Sequence, residues 1–371
     1  MTILAFLGGL LLLILGAELL VRGASSLAQS MGISSLIIGL TVVAFGTSSP
    51  ELAVSINAAH TGQANIAIGN VVGSNVFNVL FILGLSAIIV PLAASAQLIR
   101  LDVPIMIFAS AGAWLFSLDG LLGRWDGLVL FVGLVAYLGF LIVQGRKEQG
   151  VAQAGASQPS VSADTETIGQ NINSPGMARW KIYAWNGALV LAGLIMLVIG
   201  SRFLVSSAVA FAQFLGVSDL VIGLTVVAAG TSMPEVVTSI VAALKGERDI
   251  AVGNVVGSNI FNLLGVLGLT ALVAPGGIPV SSAVAGLDLP IMILVALACL
   301  PIFFTGGQIS RLEGILLFSY YIAYTTYLIL AASHHDALPF FSGAMLYLAI
   351  PITAIALIFI AVQEIRLKRR Q

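Results

Sequence analysis

One stretch of this chain occurs twice: residues 40–51 read LTVVAFGTSSPE, and residues 224–235 read LTVVAAGTSMPE. Each copy places a glutamate, hydroxyl side chains and a proline inside an otherwise apolar segment. A charged side chain at the centre of a bilayer costs about 2.5–3.5 kcal/mol on insertion scales. Glu51 and Glu235, at matched positions of two copies, therefore indicate a functional site.

The composition is that of a membrane protein. Of 371 residues, 59% are hydrophobic and only 8% are charged, which leaves too little polar surface to cover a soluble globule. The apolar runs have the length of helices and lack the alternation of a membrane barrel. The sequence therefore predicts an all-α integral membrane protein.

Eleven membrane spans are predicted, in two halves of five and one extra span. We place them at about residues 3–28, 34–59, 66–91, 101–118, 126–145, 182–213, 218–243, 250–274, 286–305, 311–332 and 339–363. The first half takes residues 1–145 and the second half takes residues 182–333. Residues 146–181 are expected to form a hydrophilic, mobile linker, and residues 334–371 an additional helix with a basic tail.

The two halves are copies. About 35 of 56 positions are identical without a gap between residues 36–91 and 220–275, and LDVPIM at 101–106 matches LDLPIM at 287–292. Five spans are an odd number, so the second half must enter the membrane from the opposite side. This predicts an inverted repeat, the architecture of secondary transporters that bind substrate at the repeat interface.

The distribution of basic residues predicts the orientation. With the N-terminus outside, twelve Lys and Arg residues fall in cytoplasmic segments, including the linker, and Arg124 alone falls outside. Cytoplasmic segments are enriched in these residues. The C-terminal cluster Arg366–Arg370 reaches the cytoplasm only if the total number of spans is odd, which requires the eleventh span.

Each copy offers several oxygen atoms within one helical turn. Pro50 and Pro234 cannot donate to the carbonyl four residues back, so each helix is expected to kink or break. Freed carbonyls are tolerated in a membrane only where they line a cavity or meet a partner, and a cation is such a partner. The oxygen-bearing side chains nearby are Thr47, Ser48, Glu51, Thr231, Ser232 and Glu235.

The next span adds a second duplicated cluster, GNVVGSNVFN at 69–78 and GNVVGSNIFN at 253–262. Ser74 and Asn78 lie four residues apart on one helix face, as do Ser258 and Asn262. The other asparagines of the motif, Asn70, Asn75, Asn254 and Asn259, are expected to pack rather than to bind an ion.

Two further polar features are expected to be structural. Glu18 and Arg22, four apart in the first span, are expected to pair with each other. Asp102 and Asp288 precede matched prolines and are expected to cap helices or to lie at the interface.

Oxygen ligands with two carboxylates suit a hard cation such as Ca²⁺ or Na⁺, whereas Zn²⁺ or copper would require His or Cys. Two neighbouring buried carboxylates repel, so at least one should bind a proton or a monovalent cation when the dication is absent. Competition of this kind is the basis of an exchanger.

These motifs resemble the two alpha-repeats of the cation/calcium antiporter superfamily, and they are most similar to its sodium/calcium exchangers. The resemblance covers both repeats and most of the chain. It implies one Ca²⁺ site and up to three Na⁺ sites, occupied in alternation, with the long first and sixth helices sliding over a fixed core. The cation ligands it implies are Glu51, Glu235, Thr47, Thr231, Ser48, Ser232, Ser74, Ser258, Asn78, Asn262 and the backbone carbonyls of Ala44 and Ala228.

Two features depart from the family pattern. Position 262 is Asn where potassium-dependent exchangers carry Asp, which weighs against K⁺ co-transport. The eleventh span has no counterpart in the ten-helix members.

The predicted function is secondary antiport of Ca²⁺ against Na⁺ by alternating access, in the inner membrane of a prokaryote. Ca²⁺/H⁺ antiport is the alternative, since coupled glutamates can carry protons, and a passive cation channel is less favoured. No nucleophile–base pair indicates an enzyme. We expect no cofactor, no nucleic-acid partner and no obligate protein partner.

Overall fold

The computed structural model describes residues 2–156, 179–214 and 228–368. Seventeen α-helices lie in these ranges: α1 (Thr2–Met31), α2 (Ser35–Ile38), α3 (Ala44–Thr47), α4 (Ser49–His60), α5 (Ala64–Phe77), α6 (Gly84–Ile89), α7 (Val103–Phe116), α8 (Arg124–Ala156), α9 (Arg179–Phe214), α10 (Ala228–Gly230), α11 (Met233–Leu244), α12 (Arg248–Ile260), α13 (Gly268–Val273), α14 (Leu289–Phe304), α15 (Arg311–Ala332), α16 (Leu338–Ala344) and α17 (Ile350–Lys368).

Several spans contain a π-helical segment that continues an α-helix without a break. These segments are Gly39–Val43, Asn78–Leu83, Leu98–Asp102, Phe261–Leu267, Val284–Asp288 and Met345–Ala349. Four of them form two matched pairs, one pair after the GNVVGSN motif and one before the matched prolines. The duplication of the sequence thus extends to the local backbone geometry.

The described residues contain nine helices that are long and apolar enough to cross a membrane, and a tenth span if the bent pair α2–α4 is counted as one. The bent pair corresponds to the predicted span 34–59, and the helix Leu338–Glu364 corresponds to the eleventh span. The predicted span 218–243 lies partly outside the described residues, since only α10 and α11 belong to it.

The helices on both sides of the predicted linker extend into it. Helix α8 continues to Ala156 and helix α9 begins at Arg179, so the residues at both ends of the predicted linker are helical. Eight of residues 146–156 are Ala, Gln, Arg, Lys or Glu, which are good helix formers even without an apolar face.

The local sequence explains how individual helices begin. Pro50 and Pro234 occupy the first turn of α4 and α11, where the missing N–H group has no helical partner to lose. Helix α15 begins with a capping box, in which the Ser310 hydroxyl accepts from the Glu313 N–H and the Glu313 carboxylate accepts from the Ser310 N–H. Such reciprocal bonds satisfy two otherwise unpaired donors.

The duplicated asparagine-rich helices form the centre of the molecule. The span Arg248–Val273 is buried along most of its length, and so is Ile66–Ile89, whereas α1, α8 and α9 are mostly exposed on their outer faces. In a membrane protein those apolar outer faces meet lipid. The polar motifs therefore lie in the interior of the bundle.

Helices α1 and α9 run antiparallel and touch along glycines. A Cβ atom built on Gly16 would lie 2.9 Å from the carbonyl oxygen of Gly193, and one on Gly9 would lie 2.9 Å from that of Gly200. Such approaches are possible only between residues that lack side chains, as in small-xxx-small packing of membrane helices.

Four two-residue strands also join the halves, a detail that an all-α prediction does not include. Strand β1 (Leu92–Ala93) pairs antiparallel with β4 (Gln308–Ile309), and β2 (Leu121–Leu122) pairs with β3 (Ile278–Pro279). Each pair connects a loop of the first half with a loop of the second half.

The predicted pair of Glu18 with Arg22 is wrong. Glu18 forms its ion pair with Lys245, at the end of α11, and Arg22 is exposed. An intrahelical pair is worth only about 0.2–0.5 kcal/mol, so a cation from a packed neighbour displaces it easily.

Candidate functional site

The site is built on two broken helices. In the first copy the chain leaves the helical conformation at Ser48 (φ −84°, ψ 3°), and α4 then continues at an angle of 42°. In the second copy Ser232 has nearly the same conformation (φ −89°, ψ 9°). The predicted break is thus confirmed in both copies, and it places Glu51 and Glu235 in the first turn of α4 and α11, fully buried.

The two copies exchange hydrogen bonds at this point. The Ser48 hydroxyl donates to Glu235 Oε1 (3.1 Å), and the Ser232 hydroxyl donates to Glu51 Oε1 (3.0 Å). Ser232 also lies 3.2 Å from the hydroxyl of Ser74. Each carboxylate is therefore held by the serine of the opposite copy, and the two motifs form one site.

The threonines of the motifs also cross between the copies. Thr47 Oγ1 lies 3.1 Å from Asn254 Oδ1, and Thr231 Oγ1 lies 3.4 Å from Asn70 Oδ1. Thr47 Oγ1 is also 3.1 Å from the Val43 carbonyl. The hydroxyl oxygens of both threonines keep a lone pair for an additional partner.

Five of the predicted ligand residues carry a buried side-chain oxygen without a hydrogen-bond partner among the described residues. These oxygens are Glu51 Oε2, Glu235 Oε2, Asn78 Oδ1, Asn262 Oδ1 and Ser258 Oγ. Buried polar atoms are nearly always satisfied by protein, water or an ion. This group of atoms has the chemistry that a hard cation requires.

Asn78 and Asn262 lie in the matched π-helical segments, where Asn78 is the first residue of Asn78–Leu83. Asn78 Nδ2 donates to Asn259 Oδ1 (2.9 Å), and Asn262 Nδ2 donates to Asn75 Oδ1 (3.4 Å). The nitrogens are thus engaged, whereas the oxygens have no partner in the part of the chain that the structure describes. Short π-helical segments inside longer helices are frequent at functional sites.

The backbone carbonyls are placed differently from the side chains. The Ala44 carbonyl accepts from the Ser48 N–H (3.0 Å) and lies 3.4 Å from Thr47 Oγ1. Ala228 begins α10, and the residues directly before it lie outside the described part of the chain. The carbonyl that Pro234 frees, that of Gly230, accepts from the Ser201 hydroxyl of α9 (2.7 Å), so its partner is a side chain.

Asn70 and Asn254 have a role that was not predicted from the sequence: each forms hydrogen bonds that hold the helix turn carrying a glutamate. Asn70 Nδ2 donates to the Glu51 carbonyl (3.2 Å) and to Ser55 Oγ (3.0 Å). Asn254 does the same for the Glu235 carbonyl and Ser239. The duplication of Ser55 as Ser239 is the signal that could have found this arrangement.

Asp102 and Asp288 do not cap α7 and α14 with their side chains. Their carboxylates accept instead from Tyr137 (3.0 Å) and Tyr324 (3.3 Å) on the helices packed beside them. The expectation of capping is wrong, because each tyrosine offers a hydrogen-bond donor to a carboxylate that the membrane interior would otherwise leave unpaired.

The atoms that the site makes available as ligands for a metal ion are almost all oxygens. In the described part of the chain, no group of three or more His, Cys, Asp or Glu residues could hold a metal ion. Two carboxylates, hydroxyls and amide oxygens inside a helical bundle define the class: a membrane transporter for hard cations.

Comparison with known proteins identifies the family. The family model of the sodium/calcium exchanger protein matches residues 1–143 and 185–330. Sodium/calcium exchanger MaX1 of Methanosarcina acetivorans is 34% identical over 340 residues, which cover 85% of this chain and 95% of that protein. Inner membrane protein YrbG of Escherichia coli is 38% identical over 289 residues, which cover 78% and 84%.

A solved structure shows the same fold. The sodium-calcium exchanger NCX_Mj, soaked with Na⁺ and Ca²⁺, aligns with a TM-score of 0.71 and 30% identity over 90% of this chain and 98% of its own. The chain belongs to the sodium/calcium exchanger family. It is a multi-pass integral membrane protein with the fold of cation/Ca²⁺ antiporters, a family of transporters and not of enzymes.

Proposed function

We propose that this protein exchanges Ca²⁺ for Na⁺ across the membrane by alternating access. The observation that carries the proposal is a set of five buried oxygens on Glu51, Glu235, Asn78, Asn262 and Ser258, none of which has a hydrogen-bond partner within the described ranges. All of them belong to the duplicated motifs, and the crossed serine–glutamate bonds hold the two carboxylates in one site. Such a set suits a dication, or several monovalent cations in its place.

In this proposal the full set of cation ligands is the one that the family resemblance implies. Glu51 and Glu235 provide the charge, while the hydroxyls and amides replace the hydration shell of the ion. The remaining ligands are Thr47, Thr231, Ser48, Ser232, Ser74, Ser258, Asn78, Asn262 and the carbonyls of Ala44 and Ala228. Ca²⁺ and Na⁺ are transported substrates, and no cofactor takes part.

Sodium is the proposed counter-ion because of the hydroxyls. Thr47, Ser48, Thr231 and Ser232 are neutral oxygen donors beside the two carboxylates, and neutral oxygens coordinate Na⁺ well, whereas a proton needs only the carboxylates. The relative named sodium/calcium exchanger MaX1 and the structure of NCX_Mj soaked with Na⁺ and Ca²⁺ support the same choice.

The proposed topology has eleven spans in an inverted repeat. Residues 1–145 and 182–333 form the two halves, residues 146–181 link them in the cytoplasm, and residues 334–371 add the last span and a cytoplasmic tail. The antiparallel contact of α1 with α9 supports opposite insertion of the halves. The distribution of basic residues supports an N-terminus outside the cell.

The test is uptake of radiolabelled Ca²⁺ into proteoliposomes that contain the purified protein. Vesicles loaded with Na⁺ are compared with vesicles that carry only a pH gradient, for the wild type, Glu51→Gln and Asp336→Asn. Asp336 is an exposed carboxylate in the loop before α16, so its variant controls for the general effect of removing a charge.

Uptake that requires internal Na⁺, that Glu51→Gln abolishes and that Asp336→Asn leaves intact supports the proposal. Uptake driven only by the pH gradient would make the protein a Ca²⁺/H⁺ antiporter. Uptake that ignores both gradients and tolerates Glu51→Gln would contradict exchange at this site.

A further inference from the structure

One duplicated motif has no place in the proposed ligand set. The sequences LDVPIM (101–106) and LDLPIM (287–292) end in Met106 and Met292, which are almost completely buried. Both methionines reach the asparagine-rich helices at the centre of the molecule. There they contact Asn259 and Asn75, two of the four asparagines that are expected from the sequence to pack rather than to bind an ion.

The contacts form a chain of hydrogen bonds that crosses between the copies. Asn259 Nδ2 donates to Met106 Sδ (3.4 Å) and to the Asn75 backbone carbonyl (3.4 Å). With both amide hydrogens engaged, the oxygen of Asn259 must face the other way. That oxygen accepts from Asn78 Nδ2 at 2.9 Å.

The second copy repeats the chain with longer bonds. Asn75 Nδ2 donates to Met292 Sδ (3.5 Å), and Asn75 Oδ1 accepts from Asn262 Nδ2 (3.4 Å). All four asparagines are buried. The end of each chain is an amide oxygen, Asn78 Oδ1 or Asn262 Oδ1, without a partner among the described residues.

The direction of these amides matters because the two ends of an asparagine side chain are nearly equal in size but opposite in chemistry. The oxygen accepts and can coordinate a cation, whereas the NH₂ group donates and repels one. A thioether sulfur is a weak acceptor and a poor ligand for hard cations. It can therefore orient an asparagine without competing for the ion.

We propose that Asn259 and Asn75, each oriented by a methionine, are positioning residues that fix the amides of Asn78 and Asn262 with the oxygens toward the transported cation. This inference rests on the proposed function, because it requires Asn78 and Asn262 to be cation ligands. Groups behind metal ligands commonly change the affinity for the metal about 10- to 100-fold when they are removed.

The test is a double-mutant cycle of Asn259→Leu and Asn78→Asp, read as the KM for Ca²⁺ in Na⁺-loaded proteoliposomes. In the wild-type background, Asn259→Leu removes the acceptor that holds the Asn78 nitrogen, so the amide can turn, and we expect the KM to rise about 10-fold. A carboxylate at position 78 has two oxygens, so its orientation no longer matters.

In the Asn78→Asp background, Asn259→Leu should therefore not raise the KM. Asn259→Leu should instead lower the KM in this background. With Asp at position 78, Asn259 Oδ1 faces a carboxylate oxygen with no hydrogen between the two oxygens, and Asn259→Leu removes this repulsion. A purely structural role for Asn259 predicts the same rise in both backgrounds, and that result would overturn the inference. An unchanged KM for Asn259→Leu alone would also overturn it.

A milder variant keeps the inference testable if Asn259→Leu does not fold. Met106→Leu conserves volume but removes one of the two acceptors of Asn259, and we expect a smaller rise in KM, of about two- to fivefold. Met345→Leu, on the additional C-terminal helix, is the matched control and should leave the KM unchanged. Equal effects of the two methionine variants would contradict the proposed role of Met106.

The result also separates this inference from the proposed function. If the wild type shows no Na⁺-dependent uptake, the proposed exchange itself is wrong. If the wild type shows Na⁺-dependent uptake but the double-mutant cycle does not give the expected changes in KM, the positioning role alone is wrong.

Discussion

The two copies of the repeat are nearly equal in the interior and unequal at the edges. Inside, Ser48 donates to Glu235 at 3.1 Å and Ser232 donates to Glu51 at 3.0 Å. At the edge, Lys245 pairs with Glu18 of α1, but the matching positions are Thr61 and Arg202, which cannot form an ion pair.

Other contacts of the outer helices α1 and α9 are equally one-sided. The Ser25 hydroxyl donates to Glu247, whereas the matching residues are Val209 and Gln63. The Ser201 hydroxyl donates to the Gly230 carbonyl, whereas the residue that matches Ser201 is Ala17. All of these unequal contacts involve α1 or α9.

The difference follows from the proposed mechanism. In the proposed mechanism, the long helices α1 and α9 slide between two positions over a fixed core, as the family resemblance implies. The interior residues must serve both positions, so they are duplicated. Contacts between the moving helices and the rest need to exist in only one position, and a contact present in one alone sets the balance between the two.

The largest effect should come from replacing one of the two buried carboxylates of the interior. Glu235→Gln should reduce Na⁺-dependent Ca²⁺ uptake by more than about 100-fold, the same loss that we expect for Glu51→Gln, because each removes one of the two charges that face a dication. Parallel assays of Na⁺-dependent Ca²⁺ uptake compare the losses in the two variants, with Asp336→Asn as the control. Clearly different losses would mean that the copies do not contribute equally.

The serines should show a smaller and unequal effect. Ser48→Ala and Ser232→Ala each remove a hydrogen bond to a charged group, worth about 1.5–3 kcal/mol, and both should raise the KM for Ca²⁺ by about 10-fold or more. Ser232→Ala should have the larger effect, since Ser232 also contacts Ser74. A larger effect of Ser48→Ala would show that the additional contact is unimportant.

The sequence was sufficient to predict the broken helices of the interior, but not the contacts between the copies or those at the edges. The duplication located Glu51, Glu235 and the broken helices, because a charge and a proline in an apolar span are costly unless they are used. It did not predict that serines cross between the copies, since the distance between separate helices depends on tertiary packing.

The contact of α1 with α9 could have been predicted from the spacing of glycines in the sequence. Gly9 and Gly16 match Gly193 and Gly200, and this seven-residue spacing brings the backbones of the two helices together. The partner of Glu18 could not be predicted from spacing, because Lys245 is 227 residues away in sequence.

The helix contact offers a prediction about stability. Gly193→Ala would place a methyl group 2.6 Å from the Gly16 carbonyl oxygen, a backbone atom that cannot yield. We expect a loss of about 1–3 kcal/mol, seen as a lower thermal unfolding temperature in detergent. Gly187→Ala on the same helix meets no atom within 4 Å, so it should be neutral or slightly stabilising. Equal melting temperatures for the two variants would contradict the close contact.

The smallest effect should come from the ion pair at the edge. The side chains of Lys245 and Glu18 are 34% and 42% exposed, and an exposed pair contributes at most about 1 kcal/mol. Glu18→Gln should therefore shift the balance between the two positions of α1 by no more than about fivefold. The readout is the ratio of the half-saturating Na⁺ concentrations on the two sides of the membrane.

The charge-reversed double variant Glu18→Lys with Lys245→Glu should restore this ratio, and added salt should weaken the effect of Glu18→Gln because salt screens exposed charges. Arg202→Gln is the matched control, because Arg202 is the counterpart of Glu18 on α9 and the variant also removes one charge. An equal shift from Arg202→Gln would mean that net charge on the moving helices, and not the pair of Glu18 with Lys245, sets the balance.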